Sequence, residues 1–374
     1  MNAFDNVKKN FGFGCMRLPM NGKEVDLDEF KAMVDLFMES GFNYFDTARV
    51  YIEGQSETAI RECISKRYPR ESFILTDKLS GSLFKTEEEV RPLFNKQLQS
   101  CGVDYFDFYL MHAQTASLYE TYKRCRAYEQ AFELKKEGKI RHVGISFHDK
   151  AAVLEKILTE YPDIEVVQLQ LNYLDYDDPA VEARKCSEVC NKFNKPIIVM
   201  EPVKGGNLAD LPEKAANIIE NLNGGTSASY AIRFAAGVKG VAMVLSGMSD
   251  LKQMQDNVSF MKDFKPLDDT ETKAVKGVVD VFNSLRLIPC TACRYCIDGC
   301  PKHIAIPDLF SCLNSMELHR DWNASYYYGE VCTKGSGKAS DCIECGKCEK
   351  ACPQHLEIRK LLKKVADEFE KESK

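Results

Sequence analysis

Eight of the sixteen cysteines stand in two runs of one design, Cys290-x2-Cys293-x2-Cys296-x3-Cys300-Pro301 and Cys342-x2-Cys345-x2-Cys348-x3-Cys352-Pro353. Three thiolates at this spacing can wrap one iron-sulfur cubane corner by corner. The fourth, just before proline, points away to the other cluster of a pair. The runs therefore predict two [4Fe-4S] clusters with crossed ligand sets: Cys290, Cys293, Cys296 and Cys352 for one, and Cys342, Cys345, Cys348 and Cys300 for the other. Zinc also accepts four thiolates, but its sites pair two CxxC knuckles rather than two complete runs of four. Cys15, Cys63, Cys101, Cys125, Cys186 and Cys190 sit among apolar or helical neighbours and read as small buried side chains. Cys312 and Cys332 lie between the runs without their spacing.

Cysteines gathered near one end of a long chain are metal ligands in a reducing compartment rather than a disulfide framework. The first residues hold no apolar stretch long enough for a signal peptide, and nowhere do eighteen apolar residues run together, so a cytoplasmic protein with no membrane partner is expected. The net charge is −6 with no long run of Lys and Arg, which argues against nucleic acid as a partner.

The elements that must position this chemistry divide the chain in two. Short β-like runs recur at 11–15, 43–46, 73–76, 106–112, 142–146, 165–170, 196–201 and 240–245, with helix-length segments between them. Apolar strands separated by crossover helices, eight of them in about 250 residues, have the size of a (β/α)8 TIM barrel. The competing doubly wound sheet would need a GxGxxG after its first strand, and none is present. Asp26 and Glu29 can cap the first helix, Thr86 and Glu89 a later one, where Pro92 marks a kink or a delayed start. After about residue 264 the β rhythm stops. Residues 1–265 are assigned to the barrel, 266–287 to a linker helix that starts with Asp268 to Glu271, and 288–374 to a mainly helical, two-cluster domain. That last region resembles the helical dicluster ferredoxin domains fused to many redox enzymes.

The barrel carries a second set of residues. FNYFDTARVY supplies Asp46 and Tyr51, TDK supplies Lys78 after the third strand, and LMH supplies His112 after the fourth. Each stands at the C-terminal end of a strand, where barrel active sites are built. Here the sequence resembles the aldo-keto reductase family across nearly all of its first 265 residues. Reducing a carbonyl requires a proton for the developing alkoxide, and a phenol with a reference pKa near 10 must be tuned to give it. The resemblance implies Tyr51 as that acid, Lys78 as the cation beside it, Asp46 as the partner of the lysine, and His112 as the group orienting the substrate oxygen.

The resemblance also implies a nicotinamide site. Ser146 and Gln168 would hold the carboxamide, Met200 would stand where many relatives stack an aromatic ring, and Ser246, Gly247 and Asn257 would meet the adenosine phosphates. Asp250 and Gln253 stand where relatives that prefer NADPH usually carry basic residues, so NADH should serve at least as well as NADPH. The expected activity is reduction of a small carbonyl or conjugated compound, an enone or quinone-like molecule, with electrons exchanged through the clusters. A ferredoxin-like protein is the expected electron partner, in an anaerobic setting. Because nicotinamide moves a hydride and a [4Fe-4S] cluster one electron, a flavin or a conjugated substrate is expected between them. Two alternatives stand beside this reading: an ordinary NAD(P)H carbonyl reductase with structural clusters, and a redox-sensing or electron-relay module with little turnover.

Overall fold

The computed structural model describes residues 3–371 apart from 223, 286, 287, 291, 320 and 353. The last two residues of the expected linker helix and Pro353 of the second cysteine run lie outside the described residues, as do the first two and last three residues of the chain.

Eight parallel strands close into a barrel: β1 (Phe11–Gly14), β2 (Tyr44–Asp46), β3 (Ile74–Leu79), β4 (Phe106–Gln114), β5 (Ile140–Phe147), β6 (Val166–Gln170), β7 (Ile197–Met200) and β8 (Val241–Gly247), with β1 paired to both β2 and β8. All eight fall on the apolar runs. The period of two along a strand sorts their side chains. Tyr44, Ile74, Phe108, Leu110, Val166, Ile198, Met243 and Leu245 form one interior cluster, with Phe4 and Val7 packed against it. One or two pleats further along the same strands, the inward positions become Asp46, Thr76, Lys78, His112 and Gln168. The lower interior is therefore dry packing and the upper end is polar. The hydroxyl of Thr76 donates to the Tyr44 phenol oxygen at 2.6 Å where the two zones meet. Gly144 is the inward residue of β5 that lets this interior close, because a Cβ there would stand 2.5 Å from Cγ2 of Val166.

The first crossover helix, Leu27–Glu39, is capped by Asp26, whose side chain accepts from the backbone N–H groups of Asp28 and Glu29. The expected reciprocal bond from Glu29 is not made. Its carboxylate instead accepts the N–H of Leu251 at 3.1 Å, tying this helix to the one after β8. Thr86 makes no side-chain cap either. A 3-10 turn at Glu87–Glu89 leads into a helix over Val90–Cys101, so Pro92 falls in its first turn, where a missing N–H costs nothing. A two-residue hairpin, Met20–Asn21 with Glu24–Val25, was not expected.

The helix Asp269–Ser284 begins with a complete capping box between Asp268 and Glu271. It does not bridge two bodies. Val275, Val278 and Phe282 pack with Leu208, Ala215, Ile219 and Tyr230 of the barrel's outer layer, and Arg233 grips Glu271 with both guanidinium nitrogens. Beyond it the chain is helical, with Ile306–His319 and Ile358–Phe369 the longest segments. Among the described residues no helix is long and apolar enough to cross a membrane.

Candidate active site and cluster sites

Asp46, Lys78 and His112 arrive from the ends of β2, β3 and β4. Tyr51 follows β2 in a tight turn, Tyr51–Gly54, in which Ile52 and Glu53 adopt left-handed backbone angles. For a β-branched residue such as Ile52 this conformation is strained and persists only where the surroundings hold it. The ammonium of Lys78, fully buried, donates to Oδ1 of Asp46 at 2.5 Å, to the carbonyl of Thr47 at 2.8 Å and to the phenol oxygen of Tyr51 at 3.1 Å. Gln168 donates to the other oxygen of Asp46 at 3.1 Å. Burial alone would discharge the lysine, but Asp46 and Tyr51 outweigh it and hold Lys78 above the ordinary lysine range. Burial likewise pushes the Tyr51 phenol up while Lys78 pulls it back, and the net shift is upward. The phenol therefore keeps its proton at neutral pH and has a cation ready for the phenolate left when it is given away.

His112 stands with its ring 5.8 Å from that of Tyr51, in an edge-on arrangement. Its Nδ1 pairs with the Ser80 hydroxyl at 2.7 Å, so Nε2 is the nitrogen left to serve the cavity. Burial, and next the Lys78 charge, push the imidazole well below its usual value, so it is neutral.

Asp46, Tyr51 and His112 line a cavity of about 370 Å³ at the barrel mouth, with Lys78 buried behind them. Of the residues that the resemblance assigns to a nicotinamide, Gln168, Met200 and Gly247 are in its wall. Ser146, Ser246 and Asn257 are not. Ser146 is buried behind the wall, accepting the N–H of Ala113 at 2.8 Å, and Asn257 donates to the hydroxyl of Ser246 at 2.9 Å. Asp250 and Gln253 are bonded to each other at the start of the helix Leu251–Met261, where Asp250 is the cap.

Sequence reasoning missed the roof. Trp322, Asn323 and Tyr326, from the short helix Trp322–Tyr326 between the cysteine runs, close over the cavity from the cluster domain. Asp321 caps that helix, and its carboxylate also meets Lys204 at 3.0 Å, while Lys204 meets Asp175 at 2.7 Å. This buried lysine thus ties the turn after β7 and the segment after β6 to the roof. Burial works against its charge, and the two carboxylates more than restore it. Among the cavity residues Arg17 Nη2 meets Glu201 Oε1 only as an ion pair at 3.6 Å, and Glu201 Oε2, His148 Nδ1 and Tyr326 OH are buried without a hydrogen-bond partner. Unmet donors and acceptors facing a cavity are what a polar ligand would satisfy. The one signal that could have pointed to the roof is that Trp322 is the chain's single tryptophan.

The cysteines of the two runs surround two further cavities. Cys290, Cys293, Cys296 and Cys352 line one, with Phe310, Leu356 and Ile358 among its apolar walls. Cys300, Cys342, Cys345 and Cys348 line the other, with Ile304 and Leu362. Ile306 is in the wall of both. Among the described residues no three His, Cys, Asp or Glu side chains converge closely enough to hold a single metal ion. Each set of sulfurs is thus spread around a hollow. The six cysteines of the barrel are all buried, and Cys312 and Cys332 bring their sulfurs to 3.9 Å in the tail.

Comparison with known proteins adds the relationships. The model of the "Aldo/keto reductase family" matches residues 10–280, and that of a "4Fe-4S dicluster domain" matches 289–357. An uncharacterized oxidoreductase of Bacillus subtilis, YqkF, is 24% identical over 307 residues, covering 71% of this chain and 91% of the relative. The NADH-specific methylglyoxal reductase of Escherichia coli is 29% identical over 170 residues, which is 40% of this chain and 51% of that one. Among solved structures, the holo form of aldo-keto reductase AKR11C1 from Bacillus halodurans superposes with a TM-score of 0.59 at 24% identity, over 72% of this chain and 91% of that one. A Klebsiella pneumoniae aldo-keto reductase in complex with NADPH gives 0.59 at 18% identity, over 72% and 90%.

Proposed function

The chain belongs to the aldo/keto reductase family and carries a 4Fe-4S dicluster domain behind its barrel, and from that premise we propose that it reduces a small carbonyl or conjugated molecule at the barrel mouth with Tyr51 as proton donor. The observation that carries this reading is a single one: the buried Lys78 ammonium touches both Asp46 and the Tyr51 phenol oxygen, and these two partners stand in the wall of a cavity roofed by the second domain.

A nicotinamide, when bound, would supply a hydride to the carbonyl carbon. The fit of this site to such a group rests on Gln168, Met200 and Gly247 in the wall and on the Arg17–Glu201 ion pair beside them, whose Glu201 Oε2 has no hydrogen-bond partner. Tyr51 then gives its proton to the carbonyl oxygen, Lys78 stabilises the phenolate that remains, and neutral His112 orients the oxygen through Nε2. Asp46 keeps Lys78 in place and charged. NADH is the expected coenzyme, because Asp250 presents a carboxylate where a 2′-phosphate would need a cation. The Escherichia coli relative, named as NADH-specific, points the same way.

Clusters, when bound, would supply or accept single electrons. The two cysteine-lined hollows support two cubanes with crossed ligands, Cys352 joining the first run and Cys300 the second. We place these clusters on an electron path to the substrate, because the domain that would hold them also builds the cavity's roof. A small one-electron carrier of the ferredoxin kind is the partner that this path needs.

The test of the barrel reading is Tyr51→Phe. Coenzyme binding should persist while carbonyl reduction falls by roughly 10²–10⁴, the range of a lost general acid. Undiminished turnover in that variant would remove Tyr51 from its role.

A further inference from the structure

The second cluster cavity lies at the surface. Cys345 in its wall is exposed, as Cys293 is in the first, and Ile343 beside it is 58% exposed. The same rim is cationic. Lys302 lines the cavity, and Lys347 and Lys350 stand on the short helix that carries Cys348. All three are exposed. Among the described residues none of the three has a carboxylate partner; Glu344 is taken by Lys363 at 2.8 Å and Glu349 by Arg359 at 2.8 Å, which leaves exposed Asp298 and Asp341 as the carboxylates near this rim outside an ion pair. Three unpaired lysines against two unpaired aspartates leave the rim a small cationic surplus on a chain of net charge −6.

The two cavities also have an order relative to the barrel. Arg294, in the wall of the first, is held by Asp308, and Asp308 is in turn 3.5 Å from Lys150 of the barrel. Ile306 separates the first cavity from the second. Both cavities have an exposed cysteine, Cys293 and Cys345, and the first is the one tied to the barrel.

We propose that the surface around Cys345, formed by Ile343 with Lys302, Lys347 and Lys350, is the docking face for a small acidic one-electron carrier protein. This deepens the reading above, on which it rests, by naming where the carrier sits and which charge it bears. Exposed cations steer an acidic partner, and an apolar side chain at the centre excludes water once it arrives. Each encounter passes one electron, the carrier being oxidised and the cluster reduced, so two encounters match one two-electron reduction. A second copy of this chain is disfavoured, since the face would meet its own lysines.

The experiment measures binding of the anaerobic holoprotein to a purified small acidic ferredoxin by titration calorimetry, with cytochrome c as a basic control. The expected result is binding to the ferredoxin alone that weakens at least about tenfold between low and high salt. A charge-reversed variant, Lys347→Glu with Lys350→Glu, should show a further loss of at least about tenfold. Iron content and nicotinamide-driven carbonyl reduction should stay at wild-type level in that variant, which separates this proposal from the barrel reading. Binding that ignores the two reversals, no binding at all, or a concentration-dependent dimer dispersed by Ile343→Asp would each overturn the assignment.

Discussion

Lys78 reaches the carboxylate of Asp46 and the phenol of Tyr51 from one nitrogen, with Lys78 and Asp46 buried and Tyr51 half-buried at the cavity. A phenol raised above its ordinary value is a poor phenolate and a proton donor that stays loaded through neutral pH. The two histidines of the mouth are the opposite case. His148 is held down to about 4, first by burial and then by the Lys78 charge, and His112 lies well below its usual value for the same reasons. An imidazole whose folded pKa is lowered leaves the unfolded chain binding more protons as pH falls from about 6.5 towards 4, so stability should decline across that window. The urea midpoint measured from pH 7 to pH 4.5 should show it, and His148→Gln should lose less over the same range. A variant that declines as steeply as the wild type would mean that His148 is not buried neutral. Asp46, Tyr51, Lys78 and His112 were legible in the sequence because each ends or follows a strand in a recognisable string. His148 and Tyr326 were not, since nothing local marks a residue whose importance is that a distant segment leaves one of its atoms unpaired.

At the scale of elements, the barrel strands were legible because both their faces are buried, which writes them as nearly continuous apolar runs. The helix after them was read as a linker because its apolar face, Val275, Val278 and Phe282, has the same period whether it spans a gap or packs on a barrel. The roof helix was invisible for a related reason. Five residues, Trp322–Tyr326, carry no periodicity of their own, and their position is set by Asp321 and the buried Lys204. Removing that lysine leaves two buried carboxylates without their shared cation, a change that typically costs about 3–5 kcal/mol. Lys204→Met should therefore lower the urea midpoint, and it should also loosen the roof before the barrel melts. Trp322, half exposed and the only tryptophan, reports this directly. Its emission should shift in Lys204→Met at urea concentrations where the far-ultraviolet signal is still native. Coincident transitions would show that the roof is held by other contacts.

For the whole molecule, the question is why one chain joins an aldo/keto reductase barrel to a 4Fe-4S dicluster domain. The crossed sets place Cys300 in the cavity of the second run and Cys352 in that of the first, so neither run completes its site alone. Anaerobically prepared protein should hold about eight irons, and Cys300→Ala should damage the site made by Cys342, Cys345 and Cys348. Iron analysis with electron paramagnetic resonance would read this, and a loss confined to the site of Cys290, Cys293 and Cys296 would contradict the crossing. The motif spacing already implied that exchange. What it could not convey is that the segment between the runs folds back to roof the barrel, because that contact joins residues whose only relation is tertiary. The central claim, that the clusters feed the barrel mouth, is tested most directly by reducing the holoprotein with dithionite under anaerobic conditions, removing the reductant, and adding a conjugated carbonyl without nicotinamide. Cluster absorbance should recover on the timescale of product formation, with one product for every two electrons withdrawn. Clusters that stay reduced, while the same protein turns over at full rate once NADH is supplied, would show that they only hold the domain together.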